Sequence, residues 1–264
     1  MLTLIPLGIN GFIPTFNRNT MSYLLYDDSD ELILLDAGTG VSCFNEDPVK
    51  KIIQSKKCLN IILSHFHLDH VIGLSYLPGL WSKKPIRLFV PDKTYIDEVG
   101  EDALDRLLSP PLFPLHWKKF PNIIELVLIS QEQYKIGPHL FQFTKLKHPG
   151  GSMGMKIDNT VAYITDTGIC NEYRNFINRI PYLMHEVWMT QEEAMNRPEL
   201  SSKHSSLEDV IKLAENSEIK KLIPIHFNPK WTDKKIIDSF MPHINENVEV
   251  IIPFEKKPII FMEK

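Results

Sequence analysis

The alternation of apolar and polar positions divides the chain into short strands with helices between them. Apolar runs at residues 2–7, 21–26 and 31–36 are separated by turn-formers such as Asn10-Gly11 and Asp27-Asp28-Ser29-Asp30, and each run has the length of a strand. Residues 60–64 and 86–90 read as two further strands. A helix is expected over 93–108, ended by Pro110, Pro111 and Pro114. In the second half the same reading places strands at 123–129, 140–147, 154–157, 161–165, 182–187 and 221–225, a helix at 233–244 and two final strands. Ser205 and Glu208 have capping-box spacing, and Leu207, Val210, Ile211 and Ala214 then mark one apolar helical face. This mixture predicts an α/β protein of the α+β kind, with two packed sheets and helices outside them.

Composition narrows this picture only a little. At roughly 150 residues per domain, 264 residues allow one or two domains; without a repeat or a Ser/Gly-rich linker, 1–264 reads as a single domain. With 43% hydrophobic and 23% charged residues, a disordered or collagen-like chain is excluded. The net charge of −4 argues against broad, sequence-blind nucleic-acid binding. Cys43, Cys58 and Cys170 lie far apart and form no CxxC, as expected of a reduced intracellular protein. The N-terminus reads as a strand rather than a signal peptide, and no run of about 18 apolar residues occurs. A cytoplasmic protein with no membrane partner is therefore expected.

The ten histidines change the picture more. Ser64-His65-Phe66-His67-Leu68-Asp69-His70 packs three imidazoles and a carboxylate into six residues directly after a buried strand. In extended backbone His65 and His67 point to the same side, and Asp69 and His70 follow where an apolar helix is expected to begin at Val71-Ile72. Neutral imidazole and carboxylate suit zinc, manganese or iron.

This HxHxDH spacing resembles the signature of the metallo-β-lactamase superfamily. The resemblance implies a four-layer αββα sandwich with two divalent ions at one edge of the sheets. Later motifs of that family have counterparts in order: His148 in His-Pro-Gly-Gly-Ser, Asp166 in Ile-Thr-Asp-Thr-Gly and His226 in Pro-Ile-His-Phe-Asn. Carried over, His65, His67 and His148 would bind one ion, Asp69, His70 and His226 the other, and Asp166 would bridge them. Asp69 counts among the catalytic residues as well as the ligands. Asp36, in Asp-Ala-Gly-Thr-Gly, would support the histidines from below. The ions would be zinc or manganese, with iron allowed. Such a pair, about 3.5–4 Å apart, can share a water, lower its pKa toward neutrality and so drive hydrolysis.

Within that superfamily, the opening Leu7-Gly8 to Ser22 and the His148-Pro-Gly-Gly segment resemble the branch of tRNase Z and related phosphodiesterases. In that branch a histidine that is not a ligand precedes a helix, and His204 stands in this place, 22 residues before His226. Its implied role is to protonate the leaving oxygen, which a phosphodiester needs because an alkoxide leaves poorly. Glu186 would orient His204, and Lys203 or Ser205 would add phosphate contacts. His185 is read as structural; His116, His139 and His243 match no motif. Trp117 and Phe113 are candidates either for a substrate wall or for packing.

His148 and Asp166 are only 18 residues apart, which leaves no room for the tRNA-gripping arm of tRNase Z. The resemblance is therefore to the compact phosphodiesterases, including the cyclic phosphodiesterase of phosphonate breakdown. With no cysteine before Cys43, the cysteine-bound structural zinc of that enzyme is not expected. The expectation is a two-metal phosphodiesterase for a small phosphodiester or cyclic nucleotide, with no stable nucleic-acid partner and, from the resemblance, a homodimer. The alternatives are a carboxylic ester or lactone hydrolase of the same fold, a metal-binding scaffold without activity, and RNA 3′-end processing without the arm.

Overall fold

A computed structural model of the chain describes residues 1–81, 84–97, 100–120, 123–243 and 247–262, with the side chains of Ile123 and Ile124 left out. Six strands follow one another in the first half: β1 (Leu2–Gly8), β2 (Ser22–Tyr26), β3 (Glu31–Leu35), β4 (Cys58–Ile62), β5 (Ile86–Pro91) and β6 (Ile123–Ile129). The second half supplies β7 (Gln133–Ile136), β8 (His139–Leu146), β9 (Ser152–Ile157), β10 (Val161–Ile164), β11 (Tyr182–Glu186), β12 (Lys221–Ile225), β13 (Glu249–Val250) and β14 (Ile259–Phe261). They make two seven-stranded mixed sheets, ordered β14-β1-β2-β3-β4-β5-β6 and β13-β12-β11-β10-β9-β8-β7. Strands β3 to β6 run parallel, as do β10 to β13, whereas β7 to β10 alternate in direction.

The continuous apolar runs have a direct cause. Strands covered on both faces cannot show the apolar/polar alternation of a half-exposed strand. Leu25, Ile33, Leu35 and Ile62 of the first sheet face a shared core with Phe141, Met155 and Tyr163 of the second. Their neighbours Leu24, Leu32, Leu34 and Ile61 join a different core with Val49 and Ile53 of the helix Val49–Ser55 and Leu104 of the helix Gly100–Leu107. Against the second sheet, Val210, Ile211 and Ala214 of the helix Leu207–Asn216 and Ile236 and Phe240 of the helix Asp233–Phe240 complete the main core. The two sheets and their flanking helices are the αββα arrangement expected from the sequence.

Several element boundaries differ from the expectation. The helix expected over 93–108 is confined to Gly100–Leu107; before it, the Asp92 carboxylate accepts from the Thr94 N–H, and Tyr95 and Ile96 are drawn into the core between the sheets. Glu98 and Val99 of that stretch lie outside the described residues. The helix after Asp69 is one turn, Leu68–Val71, continued as a 3-10 helix over Ile72–Tyr76. The helix expected to 244 stops at Phe240, a 3-10 turn Met241–His243 holds Pro242, and Ile244 is outside the described residues. The short β7, with its polar Gln133 and Lys135, was not expected; the Gly137 turn pairs it with β8. The cap of the helix Leu207–Asn216 is Ser206, not Ser205: its hydroxyl accepts from the Asp209 N–H. Ser205 is committed to the buried interior instead, its N–H to Glu186 and its hydroxyl to Thr167. A capping box does form, between Thr190 and Glu193.

The C-terminal segment straps the N-terminal loop to the first sheet. Lys256 donates its backbone N–H to Pro6 and pairs its ammonium with Glu46, while Glu255 accepts from both the backbone and the side-chain amide of Asn19. Burial pushes the Glu255 carboxyl up to about 7 despite those donors. A carboxyl whose folded-state pKa is raised stabilises the fold fully below its unfolded value, near 4.3, and loses that contribution as pH rises through about 7. Glu255→Gln is therefore expected to gain in melting temperature relative to the parent between pH 5 and pH 8. Parallel pH profiles of the two proteins would refute this assignment.

Candidate functional site

Asp36, His148, Asp166 and His226 follow the ends of β3, β8, β10 and β12, and residues 64–70 follow β4, so the relevant side chains collect at one edge of the sandwich. Three of them, Asp36, Asp166 and His226, have left-handed φ values of 54°, 50° and 54°. Such a conformation is disfavoured for residues with a side chain and is kept where surrounding contacts enforce it. Here it turns each chain sharply at the strand end.

Asp36 is the buried base of the cluster. Its Oδ1 accepts the Ser64 N–H at 2.7 Å, and its Oδ2 accepts from the Ser64 hydroxyl, His70 Nδ1 and the Tyr163 hydroxyl at 2.8, 2.7 and 2.6 Å. With Nδ1 of His70 donating, its Nε2 keeps a lone pair aimed into the cluster. Ser64 repeats this for His65, whose Nδ1 lies 3.0 Å from the same hydroxyl. The Nε2 atoms of His65, His70 and His226 are buried and have no hydrogen-bond partner.

The donor atoms form two adjoining groups. His65, His67, His148 and Asp166 each bring one atom within 4.8 Å of the others, and so do Asp69, His70 and His226. Asp166 faces both: its Oδ1 lies 3.5 Å from His148 Nε2, and its Oδ2 lies 3.0 and 3.2 Å from the Nε2 atoms of His70 and His226. All seven residues singled out as candidate ligands in the sequence are thus brought together at one place. Asp69 Oδ2 also accepts the Phe12 N–H at 2.6 Å.

The electrostatics calls for positive charge. Burial works to raise the Asp166 carboxyl, but His226, His70 and His65 hold it well below the usual carboxylate range. Burial likewise opposes a charged imidazole, yet Asp69, Asp166 and Asp36 push His70 well above its ordinary value. Asp166, Asp69 and Glu186 push His226 up to about 10 against the same opposition. His65 goes the other way, lowered by burial and by His70. Buried carboxylates beside unpartnered imidazole nitrogens fit divalent cations, whose charge would take the place of those protons.

Glu186 is fully buried at the end of β11. Its Oε1 accepts the N–H groups of Thr167 and Ser205, and its Oε2 accepts from His204 Nδ1 at 2.9 Å. Burial opposes a charge on His204, but Glu186 raises its pKa overall. His204 therefore stands beside the cluster with its ring 5.4 Å from His148 and 5.8 Å from His226, stacked on Trp188 at 4.9 Å. Asp166, Glu186, His204 and His226 also bring ligand-type atoms within 4.8 Å.

Other histidines are placed away from the cluster chemistry. His185 is buried, accepting from Tyr173 and donating to the Glu186 carbonyl; His139 pairs with Asp158 and Asp27; His116 caps residues 117–119 and faces Asp105. Trp117 is buried and donates to Asp105, and the Phe113 ring packs at a tilt against Phe120, so both pack rather than line the site. Ser205, suggested for phosphate contacts, is buried with its hydroxyl on Thr167, whereas Lys203 lines the cavity. The sequence reading missed Ser64, Tyr163 and Trp188. A tyrosine in a fully buried strand needs a hydrogen-bond partner, which was the available signal for Tyr163.

The cluster opens into a cavity of about 840 Å³. Phe12, Ile13, Leu68 and Pro149 give it an apolar wall, and Trp188, Leu200 and His204 stand among its other lining residues. Gly11 is required beside it: a Cβ there would lie 2.3–2.6 Å from the His226 ring.

The sequence profile of the beta-lactamase superfamily domain matches residues 31–227. Ribonuclease Z of Pyrococcus horikoshii is 24% identical over 289 aligned positions, covering 89% of each chain. Among solved structures, the metallo-beta-lactamase fold protein YhfI from Bacillus subtilis superposes with a TM-score of 0.74 at 18% identity, covering 98% of each chain. A new diphosphatase from the PhnP family superposes with a TM-score of 0.73 at 17% identity, covering 99% of this chain and 98% of that one.

Because four donor hydrogens converge on Asp36, Asp36→Asn is expected to destabilise the metal-free protein by about 3 kcal/mol in urea denaturation, the scale of breaking a buried charged network. A loss under about 1 kcal/mol would mean that Asp36 is not the organising group.

Proposed function

Since the chain belongs to the metallo-β-lactamase superfamily, we propose that it is a two-metal hydrolase of small phosphodiesters in which His204 protonates the leaving oxygen. His65, His67 and His148 would hold one ion, Asp69, His70 and His226 the other, with Asp166 between them. Bound there, two divalent ions such as zinc or manganese would lower the pKa of water and neutralise charge on the phosphoryl oxygens. The protein's own part is positioning and proton delivery. Glu186, fixed by two backbone N–H groups, holds the proton on His204 Nδ1 and leaves Nε2 to donate across the cavity. The Phe12 N–H keeps Asp69 aimed at the cluster.

The observation that carries this reading is His204 itself: a histidine with its pKa raised by a buried glutamate, on the wall of the same cavity as both ligand groups. Hydrolysis of an activated carboxylic ester needs no such donor, because its leaving group departs without a proton. The small size of the substrate is supported by the chain between His148 and Asp166. A tight Pro-Gly-Gly turn, β9, a three-residue turn and β10 use all of it but Thr165, and nothing projects from the body there. The relatives named Ribonuclease Z favour a second reading, cleavage of an RNA 3′ extension; incubation with precursor tRNA tests it directly.

His204→Ala is expected to lower kcat for phosphodiester cleavage by about 10²–10⁴-fold while the metal content measured by mass spectrometry stays at the parent level. Loss of metal together with activity would make His204 a ligand. Undiminished phosphodiesterase activity would remove it from proton transfer.

A further inference from the structure

The wall behind His204 has a chemistry that a single phosphate does not use. His204 donates its backbone N–H to Leu200, and Leu200 donates to Arg197, so Arg197, Lys203 and His204 belong to one tightly turned segment. Arg197, Lys203 and Lys230 all line the cavity over the histidine and aspartate cluster. A second cavity of about 290 Å³ adjoins it and shares Trp188, Arg197, Leu200, Asn228 and Lys230 with it. It reaches on to Trp231.

Most other cations of this region are neutralised. Lys235 pairs with Glu193, Lys234 with Asp238 and Arg18 with Asp233. Arg197, Lys203 and Lys230 have no carboxylate partner among the described residues. The carboxylates lining the two cavities are Asp69 and Asp166, within the cluster, and Glu193, already paired. Three unpaired cations on one rim of a chain with net charge −4 make a local field that attracts anions. Phe12, Ile13 and Leu68 line the same cavity with apolar surface, so a bound substrate meets both apolar and cationic surroundings.

The side on which the cations lie is informative. If His204 protonates the leaving oxygen, the leaving group sits against Lys203, Trp188 and Arg197. A cyclic monophosphate commits its one anionic group to the metals and leaves this rim unmatched. We infer that the leaving group carries a second phosphate, held by Arg197, Lys203 and Lys230, with a ring seated on Trp188. The substrate class is therefore a phosphodiester of a phosphorylated nucleoside, in preference to a cyclic nucleotide. This inference rests on the proposed function for its orientation. Hydrolysis breaks the bond from phosphorus to the leaving oxygen; water forms the new P–O bond and releases one proton to solvent, the leaving alcohol takes the proton of His204, and His204 recovers a proton from solvent.

The test is titration calorimetry of the metal-loaded protein with adenosine 5′-monophosphate and adenosine 3′,5′-bisphosphate at fixed ionic strength. The bisphosphate is expected to bind at least about tenfold more tightly, since charge-assisted contacts to phosphate are the strong ones. In the double variant R197Q/K230Q, whose side chains are exposed, that preference is expected to fall to about twofold or less. Lys234→Gln, a charge removal outside both cavities, is expected to keep it. Equal affinities in the parent, no binding of either nucleotide, or a preference that survives in R197Q/K230Q would overturn the inference. Turnover of bis-p-nitrophenyl phosphate, measured separately, reports on the proposed function itself: turnover without the bisphosphate preference sinks only the substrate class.

Discussion

The Asp36 carboxylate is the constraint on which the site depends. A buried carboxylate is tolerated only with its lone pairs filled, and this one is filled from both halves of the molecule. Ser64 and His70 come from the loop after β4, whereas the Tyr163 hydroxyl comes from β10 of the opposite sheet. The requirement to satisfy one anion thus fixes the tautomer of His70, orients His65 through Ser64 and sets the distance between sheets. Glu186 plays the same part at the other end of the cluster for His204, with Thr167 and Ser205 as its fixed donors. Two buried carboxylates, each outside the proposed ligand set apart from any contact through histidine, determine where the imidazoles point.

The fold was legible where the pattern is strongest. Buried parallel strands leave long apolar runs, and β6 and β12 were located to the residue. Most other strands shifted by a residue or two at their ends, since a strand end is decided by pairing and not by composition. The helix expected over 93–108 failed because Tyr95 and Ile96 are apolar residues serving the core between the sheets rather than a helical face. Ser205 failed as a cap for a related reason: two adjacent serines are equivalent as caps in sequence, and only the presence of Glu186, nineteen residues away, decides which one is free.

The candidate ligands were legible because imidazole and carboxylate at fixed spacing are rare outside metal chemistry, and because family resemblance joined His148, Asp166 and His226 to the first cluster. Beyond the support of the histidines by Asp36 and of His204 by Glu186, which the resemblance implied, the sequence hid what depends on approach in space. The convergence on Asp36, the stacking of Trp188 on His204 and the grouping of Arg197 with Lys230 join residues well separated along the chain. Net charge was a poor guide for the same reason. A mildly acidic chain still carries a cationic rim, since a sum over all residues says nothing about how they are arranged.

The two donor groups are each divided between the sheets. His65, His67, Asp69 and His70 belong to the first, and His148, Asp166 and His226 to the second. An ion held by either group would be gripped from both sides of the sandwich, and parting the sheets would release it. Its binding free energy would then add to the work of opening the molecule. With ions held there, the turnover of such a protein in a cell would follow metal supply: when the ions were scarce, the chain would open more often and present itself to proteases sooner.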